Sequence, residues 1–382
     1  LRARTPDRGQ AGTLCGKESN AMNQAHARIV RADPDRAPDH PANSMLVFGL
    51  DDPHSMAGVI AACCDAEAGA LEVRDFGDGE FKIRPLTDPH GRPVCVVAGL
   101  YGDARRSPQD RVCMLLFFVS ALRDHGARHI TVIAPYLPFV RKDRRTQPFD
   151  PISLRYLAQW FESAGVDTLL TLEPHNVAAF DNAFRIPART VSTHRVLLAA
   201  ALEAAGQTEL VVASPDPGGI KRAQLWREAV EAASHRPTGF AMLDKRRRAG
   251  EVEGAFAVCG EVRDATVLLV DDVIATGTTL ARASRALFSA GASRVIVAAA
   301  HGQFLERAAD LLDAAGIDAL LVTDSLPSAR LAGHRLRERM TLASAAPALA
   351  ALLADPASAL PPHRAFSRQP DSESQPSSAA SA

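Results

Sequence analysis

Val267-Leu-Leu-Val-Asp-Asp-Val-Ile-Ala-Thr-Gly-Thr-Thr-Leu280 decides the fold class. The apolar run Val267–Val270 reads as a strand buried on both faces, and it ends in two carboxylates, Asp271 and Asp272. A small-residue loop follows, then a helix with Leu280, Ala283, Leu287 and Ala290 along one face. In an open α/β sheet, ligands sit where the strands end and the helices begin. Gly277 lets the backbone approach an anion, and Thr276, Thr278 and Thr279 add hydroxyl donors beside the small Ala275. The free N–H groups of the helix start complete a cradle for a phosphate monoester. Asp271 and Asp272 are placed to accept hydrogen bonds from a vicinal diol. Phosphate and diol together describe a ribose 5-phosphate. Incidental helix capping gives no reason for two adjacent acids ahead of a T-G-T-T loop.

The same rhythm extends outward. Strands are expected at Leu46–Leu50, Leu71–Phe76, Val94–Leu100, Ile130–Ala134, Thr168–Leu172, Leu210–Ala213, Phe240–Leu243, Val267–Val270, Val295–Ala299 and Leu320–Val322. Helical periodicity lies between many of them, as at Pro108–His125, Ile152–Ala164, Thr193–Ala205 and Thr278–Ala290. Gly126, Gly165, Gly206 and Gly291 stand just past helix ends, where positive φ is needed. Trp160 and Trp226 read as packing residues on helix faces. Apolar strands alternating with amphipathic helices imply mainly parallel sheets covered on both faces. Ten strands are too many for one comfortable sheet, so the chain divides into two α/β domains, 45–190 and 191–350. Residues 1–44 and 361–382 are polar, Pro- and Ala- or Ser-rich and without apolar period, and are expected to be a disordered extension and tail.

Composition excludes several functions. The formal net charge of −1 provides no global field for nucleic acid or anionic lipid, so an anion site has to be built locally. No apolar run approaches the ~18 residues of a membrane span. The six cysteines show neither CxxC spacing nor a disulfide framework, and with no signal peptide visible a cytoplasmic location is expected.

Five further segments carry polar groups suited to phosphoryl chemistry: Phe76-Gly-Asp-Gly-Glu80, Pro135-Tyr-Leu-Pro-Phe-Val-Arg-Lys-Asp-Arg-Arg145 with Pro151-Ile-Ser153 after it, Thr171-Leu-Glu-Pro-His-Asn176, Ser214-Pro-Asp-Pro-Gly-Gly-Ile-Lys-Arg222, and Asp244-Lys-Arg-Arg-Arg248. The loop at Asp271 resembles the phosphoribosyl-binding fingerprint of type I phosphoribosyltransferases. The other segments, in order, resemble the F-x-D-G-E, P-Y-x-x-Y-x-R-Q-D-R, D-L-H, S-P-D-x-G-G and D-K-R-R stretches of ribose-phosphate diphosphokinases. Singly these matches are weak; in family order across the whole core they are specific.

The resemblance implies two tandem type I phosphoribosyltransferase-like domains, nucleotide-binding first and ribose 5-phosphate-binding second. It implies transfer of the β,γ-diphosphate of ATP to the C1 hydroxyl of ribose 5-phosphate, with Mg²⁺ as cofactor. By carry-over, Asp78, Gly79, Glu80, Arg141 and Lys142 contact ATP. His175 and Asp216 stand at the metal, Gly218 and Gly219 surround the diphosphate, and Lys245 and Arg247 are catalytic. The ribose site is Asp271, Asp272, Ala275, Thr276, Gly277, Thr278 and Thr279. Family members form homo-oligomers, dimer-based and often hexameric. Three positions depart from the family: Lys142 replaces a glutamine, Ala275 an acid, and Glu173-Pro174 the Asp-Leu before the histidine. These departures keep two other readings open, a non-catalytic regulatory relative and a phosphoribosyltransferase.

Overall fold

The computed structural model describes residues 27–30, 44–50, 56–248 and 251–355, with backbone alone at 27–30, 245–248 and 251–256. The N-terminal half begins with β1 (Ala27–Val30), β2 (Leu46–Leu50), α1 (Met56–Cys63), β3 (Glu67–Ala68), β4 (Leu71–Asp75), β5 (Phe81–Pro85) and β6 (Pro93–Ala98). It continues through α2 (Pro108–Asp124), β7 (His129–Ala134), α3 (Ser153–Ala164), β8 (Thr168–Leu172), α4 (Val177–Ala183) and β9 (Ala188–Val191). Six strands form a wholly parallel sheet in the order β3-β2-β6-β7-β8-β9. A second, antiparallel sheet, β1-β4-β5, stands beside it. Its edge strand β1 falls inside the segment expected to be a disordered arm; the remainder of 1–43 and the tail 361–382 lie outside the described residues.

The second half contains α5 (His194–Ala205), β10 (Leu210–Ser214), α6 (Ile220–Ser234), β11 (Gly239–Arg248), β12 (Glu251–Cys259), β13 (Thr266–Ile274) and α7 (Thr278–Ser289). It ends with β14 (Arg294–Gly302), α8 (Ala308–Ala314), β15 (Ala319–Thr323), β16 (Met340–Ala343) and α9 (Ala346–Ala354). Its seven strands run β12-β11-β10-β13-β14-β15-β16, parallel except for the β11–β12 hairpin. The order reverses between β10 and β13, a topological switch point of the kind where α/β sheets bind ligands.

Alternation explains why the strands read as unbroken apolar runs. Val211, Val267, Leu269 and Val295 join one core with α7 and α8. Their neighbours Leu210, Val212, Leu268 and Ile296 join another with α5 and α6. In the first half, Phe48, Val96 and Val132 pack against α2 and α3, while Val47, Val97 and Ile133 face α1 and α9. Burying a large aliphatic side chain stabilises by about 1.5–3 kcal/mol, so covering both faces multiplies what each strand contributes.

Helix α9 thus returns from the second half to cover the first half's sheet, tying the halves together. Its Pro347 sits in the first turn, where no intrahelical N–H is lost. The four helix-end glycines, Gly126, Gly165, Gly206 and Gly291, all have positive φ. Trp226 is buried on α6, but Trp160 is 54% exposed on α3, against its expected packing role. No helix among the described residues is long and apolar enough to cross a membrane.

Candidate active site

The strand carrying the acids is longer than its apolar run. β13 extends through Asp271 and Asp272 to Ile274 because β14 pairs with it throughout, Val273 opposite His301 and Ile274 opposite Gly302. The acids therefore lie within the strand's last turn of pleat rather than beyond its end. The loop that follows is pinned from its next neighbour: Ile274 O accepts from Gln303 N and Phe304 N, and Ala275 O from Leu305 N, at 2.9–3.1 Å. Gly277 has φ +71°, and a Cβ there would lie 3.1 Å from Ala308 O and 3.2 Å from its Cα. Only glycine satisfies both the turn and the close helix behind it. Thr276 Oγ1 and Thr278 Oγ1 stand 3.3 Å apart at the open start of α7, with Thr279 one residue on.

Two loops from the first half meet these acids. His175, just beyond β8, places Nδ1 2.8 Å from Asp272 Oδ2. Arg141, beyond β7, lines the same cleft with Tyr136, Leu172, Glu173, His175, Asp272 and His301. His301 is buried between the halves, Nδ1 2.8 Å from Ser325 Oγ and Nε2 3.1 Å from the carbonyl of Leu172. Its ring packs edge-on to Tyr136, whose hydroxyl accepts from Gln303 Nε2 at 2.8 Å.

Arg222 of α6 completes the cluster. Its guanidinium lies 3.6 Å from Asp272 Oδ1 and 3.8 Å from Asp271 Oδ1, and donates to Glu173 Oε1 at 2.9 Å. Burial and the charge of Asp272 push the Asp271 carboxyl well above the usual range. Burial also acts against the charge of Asp272, but the His175 hydrogen bond and Arg222 outweigh it and hold that carboxyl low. The bond to Asp272 raises His175, partly offset by burial. Burial opposes the charge on Arg222, while Glu173, Asp272 and Asp271 together hold it.

The Ser214–Arg222 loop follows β10, on the other side of the switch point. Asp216 Oδ1 accepts from Gly218 N at 2.9 Å and Gly219 N at 3.2 Å. Ser214 Oγ donates to the Asp216 carbonyl at 2.6 Å, and a Cβ on Gly219 would strike that hydroxyl at 2.6 Å. Asp216 thus occupies the two amides expected to face a diphosphate.

Other expected residues lie apart. Phe76–Glu80 forms the tip of the β4–β5 hairpin, closed by Phe76 N to Glu80 O at 2.8 Å and by Asp78 Oδ1 accepting from Glu80 N at 3.0 Å. Among the described residues, no hydrogen bond or ion pair joins Asp78, Gly79 or Glu80 to Arg141, His175 or Asp272. Lys142 is paired with Asp150, whose Oδ2 also accepts from Thr146 N and Oγ1 and from Gln147 N at 2.8–2.9 Å. Those contacts depress the Asp150 carboxyl far below its ordinary value, the Lys142 bond foremost. Lys245 and Arg247 lie on the β11–β12 hairpin, whose register shifts between them; their side chains fall outside the described residues. Arg222, Glu173, Tyr136 and His301 were assigned no role from the sequence, although Arg222, Tyr136 and Glu173 stand inside quoted motifs and Glu173 was noted there as a departure from the family.

Residues 45–165 match the N-terminal domain of ribose phosphate pyrophosphokinase, and residues 192–316 match the phosphoribosyl transferase domain. The chain is 31% identical over 289 residues to the ribose-phosphate pyrophosphokinase of Thermotoga maritima, a span of 75% of this chain and 88% of that one. It is 33% identical over 287 residues to that of Chromobacterium violaceum, covering 75% and 84%. The solved structure of phosphoribosylpyrophosphate synthetase from Mycobacterium smegmatis superposes with a TM-score of 0.72 at 27% identity, covering 82% of this chain and 98% of that one. Sequence and fold agree along the whole core, and the chain belongs to the ribose-phosphate pyrophosphokinase family.

Proposed function

We propose that the chain transfers the β,γ-diphosphate of ATP to the C1 hydroxyl of ribose 5-phosphate, giving phosphoribosyl diphosphate and AMP. The observation that carries this reading is the meeting of the two halves at the 2.8 Å bond between His175 and Asp272. It sets the ribose-loop acids against the wall that bears Arg141. In this reading the 5-phosphate sits on Thr276–Thr279 at the start of α7, and the ring hydroxyls face Asp271 and Asp272. Phosphoryl transfer is mainly positioning and charge neutralisation, which suits a cleft of fixed donors with few reactive groups.

Among the described residues, no three His, Cys, Asp or Glu side chains converge as a metal cage. Mg²⁺ does not need one, because it keeps waters and substrate phosphate oxygens in its shell. His175 and Asp216 would hold it, and when bound it supplies neutralisation of phosphate charge. His175 has Nδ1 engaged with Asp272, and Asp216 has Oδ1 engaged with the glycine amides, so each presents its second atom. An incoming diphosphate competes with Asp216 for Gly218 N and Gly219 N. Lys245 and Arg247, from the β11–β12 hairpin, neutralise the travelling charge, and Asp78, Gly79 and Glu80 contact the adenine. Lys142 reaches the nucleotide only by leaving Asp150. A dimer-based homo-oligomer in the cytoplasm is the expected setting. Incubation with ATP, Mg²⁺ and ribose 5-phosphate tests the reading: AMP should appear one-for-one with phosphoribosyl diphosphate. Silence at saturating substrate would refute it.

A further inference from the structure

Arg222 carries none of the roles assigned above, yet it reaches Glu173, His175 and both ribose-loop acids. It lies in the first turn of α6, with its side chain only 11% exposed. Three nitrogens point three ways. Nε donates to Glu173 Oε1 at 2.9 Å, Nη2 to the carbonyl of His175 at 3.3 Å, and Nη1 faces both ribose-loop acids. A planar guanidinium can serve these directions at once, whereas a lysine presents one compact charge. Glu173 anchors the fork. Its other oxygen, Oε2, accepts from Thr193 N at 2.7 Å and Thr193 Oγ1 at 3.0 Å, immediately before α5 carries the chain into the second half. Glu173 is buried and held at φ +38°, a conformation that a non-glycine residue keeps only when its surroundings fix it.

We infer that Arg222, anchored by Glu173, is a positioning residue that sets Asp271 and Asp272 for the sugar hydroxyls and ties their placement to the alignment of the two halves. The inference rests on the ribose-loop reading above. Adjacent carboxylates, Asp272 buried and Asp271 partly so, repel when both are charged, and a guanidinium shared between them lets both hold one geometry. Arg222 sits about a bond length too far to saturate either acid, so both keep acceptor capacity for a diol. If Glu173 loses its charge, the fork turns onto the acids and competes with the sugar. If Arg222 becomes lysine, three carboxylates share a charge that reaches only one. Either change weakens ribose 5-phosphate and leaves the Arg141 side chain itself unaltered.

The test uses the full chain and two variants, Arg222→Lys and Glu173→Gln, with rates measured while each substrate is varied in turn. Both variants are expected to raise KM for ribose 5-phosphate by about tenfold or more, with KM for ATP within about twofold. An unchanged KM for ribose 5-phosphate, or equal losses for both substrates, would overturn the inference. If Arg222→Lys does not fold, Glu173→Gln is judged by the same criteria. If the unaltered chain releases no AMP, the proposed reaction fails on its own. Calorimetric binding of ribose 5-phosphate to the unaltered chain and Glu173→Gln then decides the positioning role, with equal affinities against it.

Discussion

His175 and Asp272 are 97 residues apart in the chain and 2.8 Å apart in space, joined Nδ1 to Oδ2 across the two halves of the molecule. One belongs to a loop after β8 and the other to the end of β13, so neither half alone contains the site. The mechanistic account depends on that junction.

Replacing Gly277 by alanine should damage both stability and ribose binding. The residue is left-handed, and an added methyl would press on the backbone of Ala308 at 3.1–3.2 Å. A non-glycine residue in this conformation costs of order 1–3 kcal/mol. Chemical denaturation should show a loss in that range, and KM for ribose 5-phosphate should rise as the loop shifts.

Lys245→Ala should reduce turnover by ~100-fold or more with ribose 5-phosphate affinity little changed, the pattern of a donor that acts on developing charge. Steady-state kinetics measures it. A near-normal rate would remove the β11–β12 hairpin from the chemistry.

The Lys142–Asp150 pair predicts a pH effect with a definite sign. Asp150 is held below its unfolded value, which is near about 4. Its contribution to stability is therefore present above that pH and is lost as pH falls through the folded-state value. Asp150→Asn should be less stable than the unaltered chain at neutral pH, and the gap should narrow as the pH drops below about 4. Urea midpoints across the acid range give the comparison. The same variant removes the ion pair of Lys142 and leaves it only the bond to Thr146 Oγ1 at 3.0 Å, so KM for ATP should change while KM for ribose 5-phosphate does not.

Much of this architecture was legible because the two large sheets are covered on both faces, which writes their central strands as plain apolar runs. Thr168–Leu172 matches its expected bounds, and Leu46–Leu50 does too. Strands with polar sequences were harder. β9 reads Ala-Arg-Thr-Val, and the outer part of β11 is Asp-Lys-Arg-Arg-Arg; both are held by backbone pairing that composition does not reveal. The true end of β13 depends on the length of β14, a tertiary fact. Within the site, loop chemistry was readable from Gly277 and its threonines, whereas the Arg222–Glu173 link joins residues 49 apart and exists only once the halves meet. Lys142 stood out as an unexpected cation, but its partner Asp150 required the loop's actual turn.

The most direct test of diphosphate transfer follows the β-phosphorus of labelled ATP. The account predicts that the label leaves the nucleotide and appears on the C1 oxygen of the sugar, with AMP as the only nucleotide product. Label retained in ADP, with a single phosphoryl group on the sugar, would contradict it.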